Sequence, residues 1–141
     1  MRIGELARET GTTPRTVRYY EEIGLLAASG ERSAGAHREY TEADVERLRE
    51  LLRLKHMLGL TLEELRTVMH GEDARAQRRR EWHDTDAPAE RRRILAEGTA
   101  HVDALLELVR RRRADLESFE AELNERRQKQ THLLRELGSL R

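Results

Sequence analysis

Basic, hydroxyl and aromatic side chains follow one another closely near the N-terminus, and they are the residues best suited to chemistry in this chain. They are Thr13, Arg15, Thr16, Arg18 and Tyr19. An arginine guanidinium can donate two parallel hydrogen bonds to guanine or to a phosphate, and threonine and tyrosine hydroxyls can bind phosphates. We expect one helix to present these side chains to solvent, away from the side that carries Val17 and Tyr20, and their combination then predicts the binding of a nucleic acid.

Two short helices must position these side chains. The first has apolar residues at i, i+3 and i+4 and is expected to end at Gly11. The second is expected to begin after Thr13, which can act as the N-cap with Pro14 as the first helical residue, and to continue to about Glu22. Two helices joined by so short a link are typical of a helix-turn-helix.

The rest of the first half supplies further candidates for nucleic-acid contact. Residues 25–40 are rich in turn-forming residues and predict a small hairpin, here called the wing. Capping patterns at Thr41 and Thr61 predict two more helices, one that extends to Leu58 and one that passes through Met69. The additional candidate DNA-binding residues in the wing and the third helix are Arg32, His37, Arg38, Tyr40, Arg53 and Lys55.

Residues 88–141 carry one long repeat of apolar side chains. With Leu95 at position a of a heptad, six of seven a positions and four of seven d positions are apolar. This repeat predicts a helix that packs against another helix through its a and d positions, here called the seam. Fifty helical residues would extend about 75 Å, and since no other part of the chain could cover them, we expect a homodimer. The seam residues expected to form it are Leu95, Val102, Leu105, Val109, Leu116, Phe119 and Leu123.

Between these halves, residues 71–87 are polar and rich in arginine, which fits either a hinge or a short solvated helix. The segment holds Trp82, whose ring could stack on a ligand or close the dimer as an apolar plug. In the long helix, Leu106 beside Leu105 widens the apolar stripe and could line a pocket. Trp82, Leu105 and Leu106 are therefore candidates for binding a small-molecule effector, unless they only stabilise the dimer.

Composition excludes several other classes of function. The net charge is zero, with 27 basic and 27 acidic side chains. The chain contains no cysteine, and this absence excludes disulfides, thiolate metal sites and thiol redox sensing. The histidine and aspartate residues near Trp82 lack a metal-binding spacing, and Asp86 fits better as an N-cap before Pro88, so we expect no metal and no cofactor. With no secretory signal and no apolar span of about 18–20 residues, we expect a cytoplasmic protein without membrane contact. No pattern of nucleophile and base suggests an enzyme.

Four stretches of the first half resemble a known family. They are residues 3–7, 13–26, 38–40 and 58–65, with the sequences IGELA, TPRTVRYYEEIGLL, REY and LGLTLEEL. Together they are similar to the N-terminal domain of MerR-type transcriptional regulators. The resemblance covers about the first 70 residues of the chain.

The residue pattern and this resemblance together predict an all-α fold with a small β wing. We expect a winged helix-turn-helix DNA-binding domain over residues 1–70, a linker over 71–87, and a dimerisation coiled coil with a candidate effector region over 88–141. The resemblance implies a homodimer through a long antiparallel helix and a palindromic promoter site whose over-long spacer is distorted so that RNA polymerase can engage it. A second interpretation stays open on the residues alone: a coiled-coil adaptor whose N-terminal module binds protein, which the neutral net charge favours.

Overall fold

The structure, a computed structural model, describes residues 1–26 and 39–140. Within these ranges the chain forms five helices: α1 (Ile3–Thr10), α2 (Pro14–Glu22), α3 (Glu42–Leu58), α4 (Leu62–Asp84) and α5 (Pro88–Ser139). The described ranges contain no strand, so the prediction of a helical fold is confirmed. The loop of the predicted wing, residues 27–38, lies outside the described residues.

The helix boundaries of the first half follow from their capping residues. Thr41 and Thr61 each form a complete capping box, in which the threonine hydroxyl accepts from a backbone N–H and a carboxylate accepts from the threonine N–H. At the other end, α1 and α3 finish at Gly11 and Gly59, which have φ angles of 75° and 60°. Glycine adopts this left-handed conformation without a steric penalty, and for that reason both helices end where the sequence predicts.

Helices α1 to α4 enclose a small apolar core. Its centre includes Leu6, Val17, Val45 and Leu48, each with no solvent exposure, and Leu65 of α4, which is 1% exposed. Burial of one such side chain contributes about 1.5–3 kcal/mol to folding, so this core fixes the four helices relative to one another. One side of α2 therefore packs in the core, and its opposite side is exposed to solvent.

Helix α4 is longer than the sequence pattern suggests. It passes through Gly71 and continues to Asp84, so most of residues 71–87 are helical and the hinge alternative is confined to residues 85–87. A glycine in a helix costs about 1 kcal/mol relative to alanine, and the arginine, alanine and glutamate residues that follow offset this cost. The expected capping role of Asp86 is wrong, because Pro88 is the first residue of α5 and the carbonyl of Ala87 accepts its first hydrogen bond, from Arg91.

The chain divides into two compact units, residues 1–94 and residues 95–141. The first contains the core just described and ends with Ile94, which is 5% exposed. In the second, none of the side chains that the structure describes is buried. No described helix has the length and apolar character needed to cross a membrane.

Candidate nucleic-acid interface

The start of α2 is fixed by the threonine that precedes it. Thr13 has an extended backbone, and its Oγ1 accepts a hydrogen bond of 3.2 Å from the N–H of Thr16. The two threonine hydroxyls also share a hydrogen bond of 3.0 Å, so both are held at the first turn. Pro14 occupies the first helical position, where its missing N–H breaks no helical hydrogen bond.

The two sides of α2 differ in exposure, as the sequence pattern predicts. Val17 and Tyr20 are 0% and 2% exposed, whereas Arg15 and Arg18 are exposed and Tyr19 is 45% exposed. Within the described residues, neither arginine has a hydrogen bond or a carboxylate partner. Arg15, Arg18 and Tyr19 therefore form one exposed face on a helix whose other side is anchored in the core.

Lys55 does not join this exposed face. It is half-buried, its Nζ donates a hydrogen bond of 3.1 Å to the hydroxyl of Tyr20, and it lies 5.8 Å from the centre of the Tyr20 ring. The rings of Tyr19 and Tyr20 lie 5.9 Å apart between centroids. Lys55 thus fixes the buried tyrosine next to the exposed one, a position that its basic charge alone did not predict.

Arg53, the other candidate on α3, is exposed but paired within its own helix. Its Nε and Nη2 donate to the two carboxylate oxygens of Glu50 at 3.0 and 2.8 Å. These hydrogen bonds lower the pKa of Glu50 and raise the pKa of Arg53. A contact between Arg53 and a phosphate would have to compete with this surface pair, whose charges are screened by solvent.

The end of the predicted wing is fixed against α2. Tyr40 is 5% exposed, its hydroxyl donates to a carboxylate oxygen of Glu21, and its N–H donates to the carbonyl of Met1 at 2.7 Å. The Tyr40 hydroxyl is therefore directed at a carboxylate of the protein, and the phosphate contact expected of it stays a prediction. The other wing candidates, Arg32, His37 and Arg38, lie outside the described residues.

The seam of α5 is exposed throughout the second unit. Leu95, Val102, Val109, Leu116, Phe119 and Leu123 are between 41% and 58% exposed, and Leu105 is half-buried. Leu133, Leu137 and Leu140 continue the seam at 56–74% exposure. No other described part of the second unit packs against this apolar stripe.

The candidate effector residues belong to different units. Trp82 is half-buried in the first, where the guanidinium of Arg91 lies 4.4 Å from the centre of its ring. Arg91 also donates to the carbonyls of Thr85 and Trp82, at 3.0 and 3.4 Å, so it spans the turn between α4 and α5. Leu105 and Leu106 lie in the second unit. In the described part of the chain, no three His, Asp or Glu side chains are placed to hold a metal ion.

Known proteins match both the first half of this chain and most of its length. Residues 1–72 match the family described as MerR HTH family regulatory protein. The HTH-type transcriptional regulator YfmP of Bacillus subtilis (strain 168) is 32% identical over 123 residues, which are 87% of this chain and 87% of YfmP. The nodulation protein NolA of Bradyrhizobium elkanii is 50% identical over 70 residues, and the chain covers 31% of the length of that relative.

A solved structure has the same fold along most of the chain. It is the crystal structure of the transcription regulator PbrR691 from Ralstonia metallidurans CH34 in complex with lead(II), with a TM-score of 0.51 and 31% sequence identity. The likeness covers 91% of this chain and 86% of PbrR691. Because the match to the family spans the whole helix-turn-helix half and the match to YfmP spans most of both chains, this chain belongs to the MerR family of DNA-binding transcriptional regulators, which is a family of regulators and not of enzymes.

Proposed function

We propose that this protein binds a palindromic promoter site as a homodimer and controls transcription by changing the shape of that DNA. The observation that carries the proposal is the exposed face of α2, where Arg15 and Arg18 have no partner among the described residues and Tyr19 stands beside them. Guanidinium groups without a carboxylate partner can bind guanine or phosphate without first breaking an ion pair.

The exposed seam supports the homodimer. Apolar side chains that repeat along a solvated helix gain stability only when a second helix covers them.

Charge along α5 favours an antiparallel pair. Residues 110–113 are four arginines, and five carboxylates follow between residues 115 and 125. In a parallel pair in register, each block would face its own copy and repel it. An antiparallel pair can place the arginine block of one helix near the acidic block of the other, which is the complementary arrangement.

A dimer with two-fold symmetry explains the palindrome. The symmetry relates the two copies of α2, so the two half-sites that they contact must be inverted repeats. The long helices set the distance between the two α2 helices, and DNA of unfitting spacing must bend or untwist at a cost of about 1–6 kcal/mol for a smooth bend. Such a distortion could act on RNA polymerase through the promoter alone.

The domain roles follow from this proposal. Residues 1–70 would bind DNA, residues 71–87 would link the two parts, and residues 88–141 would form the dimer. A small-molecule effector would act on the linker or the adjoining α5, with Trp82, Leu105 and Leu106 as candidate contacts. Such a ligand could change the relative population of two arrangements of the DNA-binding domains.

Selection of DNA from a random duplex pool by the purified protein tests the proposal. We expect the selected sequences to contain an inverted repeat, and the affinity for it to fall when two base pairs are inserted between the half-sites. Affinity should also fall steeply with salt, because phosphate contacts release counterions. A protein that enriches no sequence and shows no salt dependence would instead favour the adaptor, which the neutral net charge would suit.

A further inference from the structure

The segment that follows α2 is held by hydrogen bonds from its own backbone and from side chains of two other helices. The chain leaves α2 through Ile23 and Gly24, and Gly24 has a φ angle of 80°. The N–H groups of Leu25 and Leu26 turn back to the carbonyl of Tyr20 at 2.9 and 3.2 Å. The carbonyls of Ile23 and Leu25, in the segment that follows α2, accept hydrogen bonds from two arginine side chains.

Arg66 on α4 and Arg47 on α3 supply these donors. The Nη2 of Arg66 donates to the carbonyl of Ile23 at 2.7 Å, and the Nε of Arg47 donates to the carbonyl of Leu25 at 3.3 Å. A positive charge at this end also opposes the negative end of the helix dipole. Two side chains from two other helices therefore hold the segment that follows α2.

Asp73 on α4 fixes the guanidinium of Arg47. The Nη1 and Nη2 of Arg47 donate to the two carboxylate oxygens of Asp73 at 2.6 and 3.1 Å. This two-bond arrangement orients the planar guanidinium, and the side chain of Arg47 is only 26% exposed. Once both Nη atoms are committed to Asp73, the remaining Nε is directed at Leu25.

Both contacts depend on α4. Arg66 and Asp73 are seven residues apart, which places them on one side of a helix about two turns from each other. An open cleft of about 430 Å³ lies among these groups, with Thr67 and His70 also lining it. Any rotation or shift of α4 would move both arginine contacts, and with them the end of α2.

We propose that Arg47 and Arg66 are positioning residues for α2, that Asp73 orients Arg47, and that α4 thereby sets how α2 is presented to DNA. These three side chains are here called the clasp. The proposal rests on the proposed function, because it assigns the clasp to the helix that would enter the DNA groove. Loss of the clasp would lower the fraction of the protein in which α2 is correctly placed, and the apparent affinity would fall with that fraction.

Asp73→Asn is the primary variant, because it keeps the size of the side chain and removes the charge that orients Arg47. Arg75→Ala is its matched control, since it removes an exposed arginine and breaks a different ion pair on the same helix, Arg75 with Glu72 at 3.6 Å. We expect Asp73→Asn to weaken binding to the selected palindrome by about three- to ten-fold. Binding to a scrambled duplex should change little, and the control should leave both affinities unchanged.

Hydrogen exchange in the DNA-free protein measures the clasp directly. The amides of Leu25 and Leu26 should exchange faster in Asp73→Asn than in the wild type, and at the wild-type rate in Arg75→Ala. Unchanged exchange at these two amides would overturn the proposal. Because this measurement needs no DNA, it separates a failure of the clasp from a failure of the proposed function, which would appear as a wild-type protein that selects no sequence.

A charge swap tests the contact to the Leu25 carbonyl. In the double variant Arg47→Asp with Asp73→Arg, an ion pair can form again, but an aspartate at position 47 cannot donate to that carbonyl. We expect the thermal stability of the double variant to be close to that of the wild type. Its affinity for the palindrome and the protection of the Leu25 and Leu26 amides should stay below the wild-type values. If the double variant had the palindrome affinity and the amide protection of the wild type, the role assigned to the carbonyl contact would be overturned. Faster amide exchange together with an unchanged affinity for the palindrome would overturn the positioning role.

Discussion

At the scale of single residues, substitution of Arg18 tests whether α2 is the helix that contacts DNA. We expect Arg18→Ala to lower the affinity for the selected palindrome by about 1–3 kcal/mol with relaxed specificity if Arg18 contacts a base. If it contacts a phosphate, binding to all sequences should weaken alike, and the salt slope should fall by about one unit. Titration of the palindrome and of a scrambled duplex at several salt concentrations distinguishes these cases.

The matched control for Arg18 is Arg79→Ala, which removes another exposed arginine, on α4. A general loss of positive charge would affect both variants to the same degree. If Arg18→Ala bound the palindrome as well as the wild type does, the assignment of α2 would be wrong.

At the scale of the elements, the capping box at Thr61 should matter more than its exposure suggests. The Oγ1 of Thr61 accepts from the N–H of Glu64 at 3.2 Å, and Thr61→Ala leaves that N–H without its acceptor. We expect a loss of about 1 kcal/mol, within a usual range of about 0.5–2 kcal/mol. Thermal unfolding followed by circular dichroism at a fixed protein concentration measures this loss.

Thr67→Ala provides the comparison within the same helix. The hydroxyl of Thr67 donates to the carbonyl of Glu63, which already belongs to α4, so its removal should be neutral or slightly stabilising. Equal destabilisation by both substitutions would contradict the specific role of the cap.

At the scale of the whole molecule, the seam should hold two subunits together. Leu116 is 53% exposed in the single chain, so Leu116→Asp should leave the subunit folded. In the dimer, each copy would lose the apolar burial of the exposed half of Leu116, about half of the roughly 1.5–3 kcal/mol for a fully buried leucine, and would also bury a charge. We expect the variant to be a helical monomer at micromolar concentration by light scattering and to lose affinity for the palindrome.

Ala114→Asp introduces the same charge two residues earlier, at an exposed position outside the seam. It should remain a dimer and retain DNA binding. A wild-type protein that scatters as a monomer at micromolar concentration would contradict the homodimer, whatever the behaviour of the variants.

The sequence by itself determined most of the helical architecture. The two capping boxes, the glycines that end α1 and α3, and the long repeat of α5 depend on residues no more than a few positions apart. Such local patterns predict helices without any information about which helices pack together. The division of α2 into a buried side around Val17 and an exposed side around Arg18 was predicted in the same way, from spacing alone.

Only the tertiary structure decided where several of the charged and polar side chains point. Lys55 binds Tyr20, Tyr40 binds Glu21, and Arg47 binds both Leu25 and Asp73, over separations of 19 to 35 residues. No periodic pattern encodes such pairs, because they exist only once the apolar core has brought two helices together. For this reason the sequence predicts Lys55 only as one more basic candidate for DNA contact, whereas the fold also pairs its Nζ with the hydroxyl of the buried Tyr20.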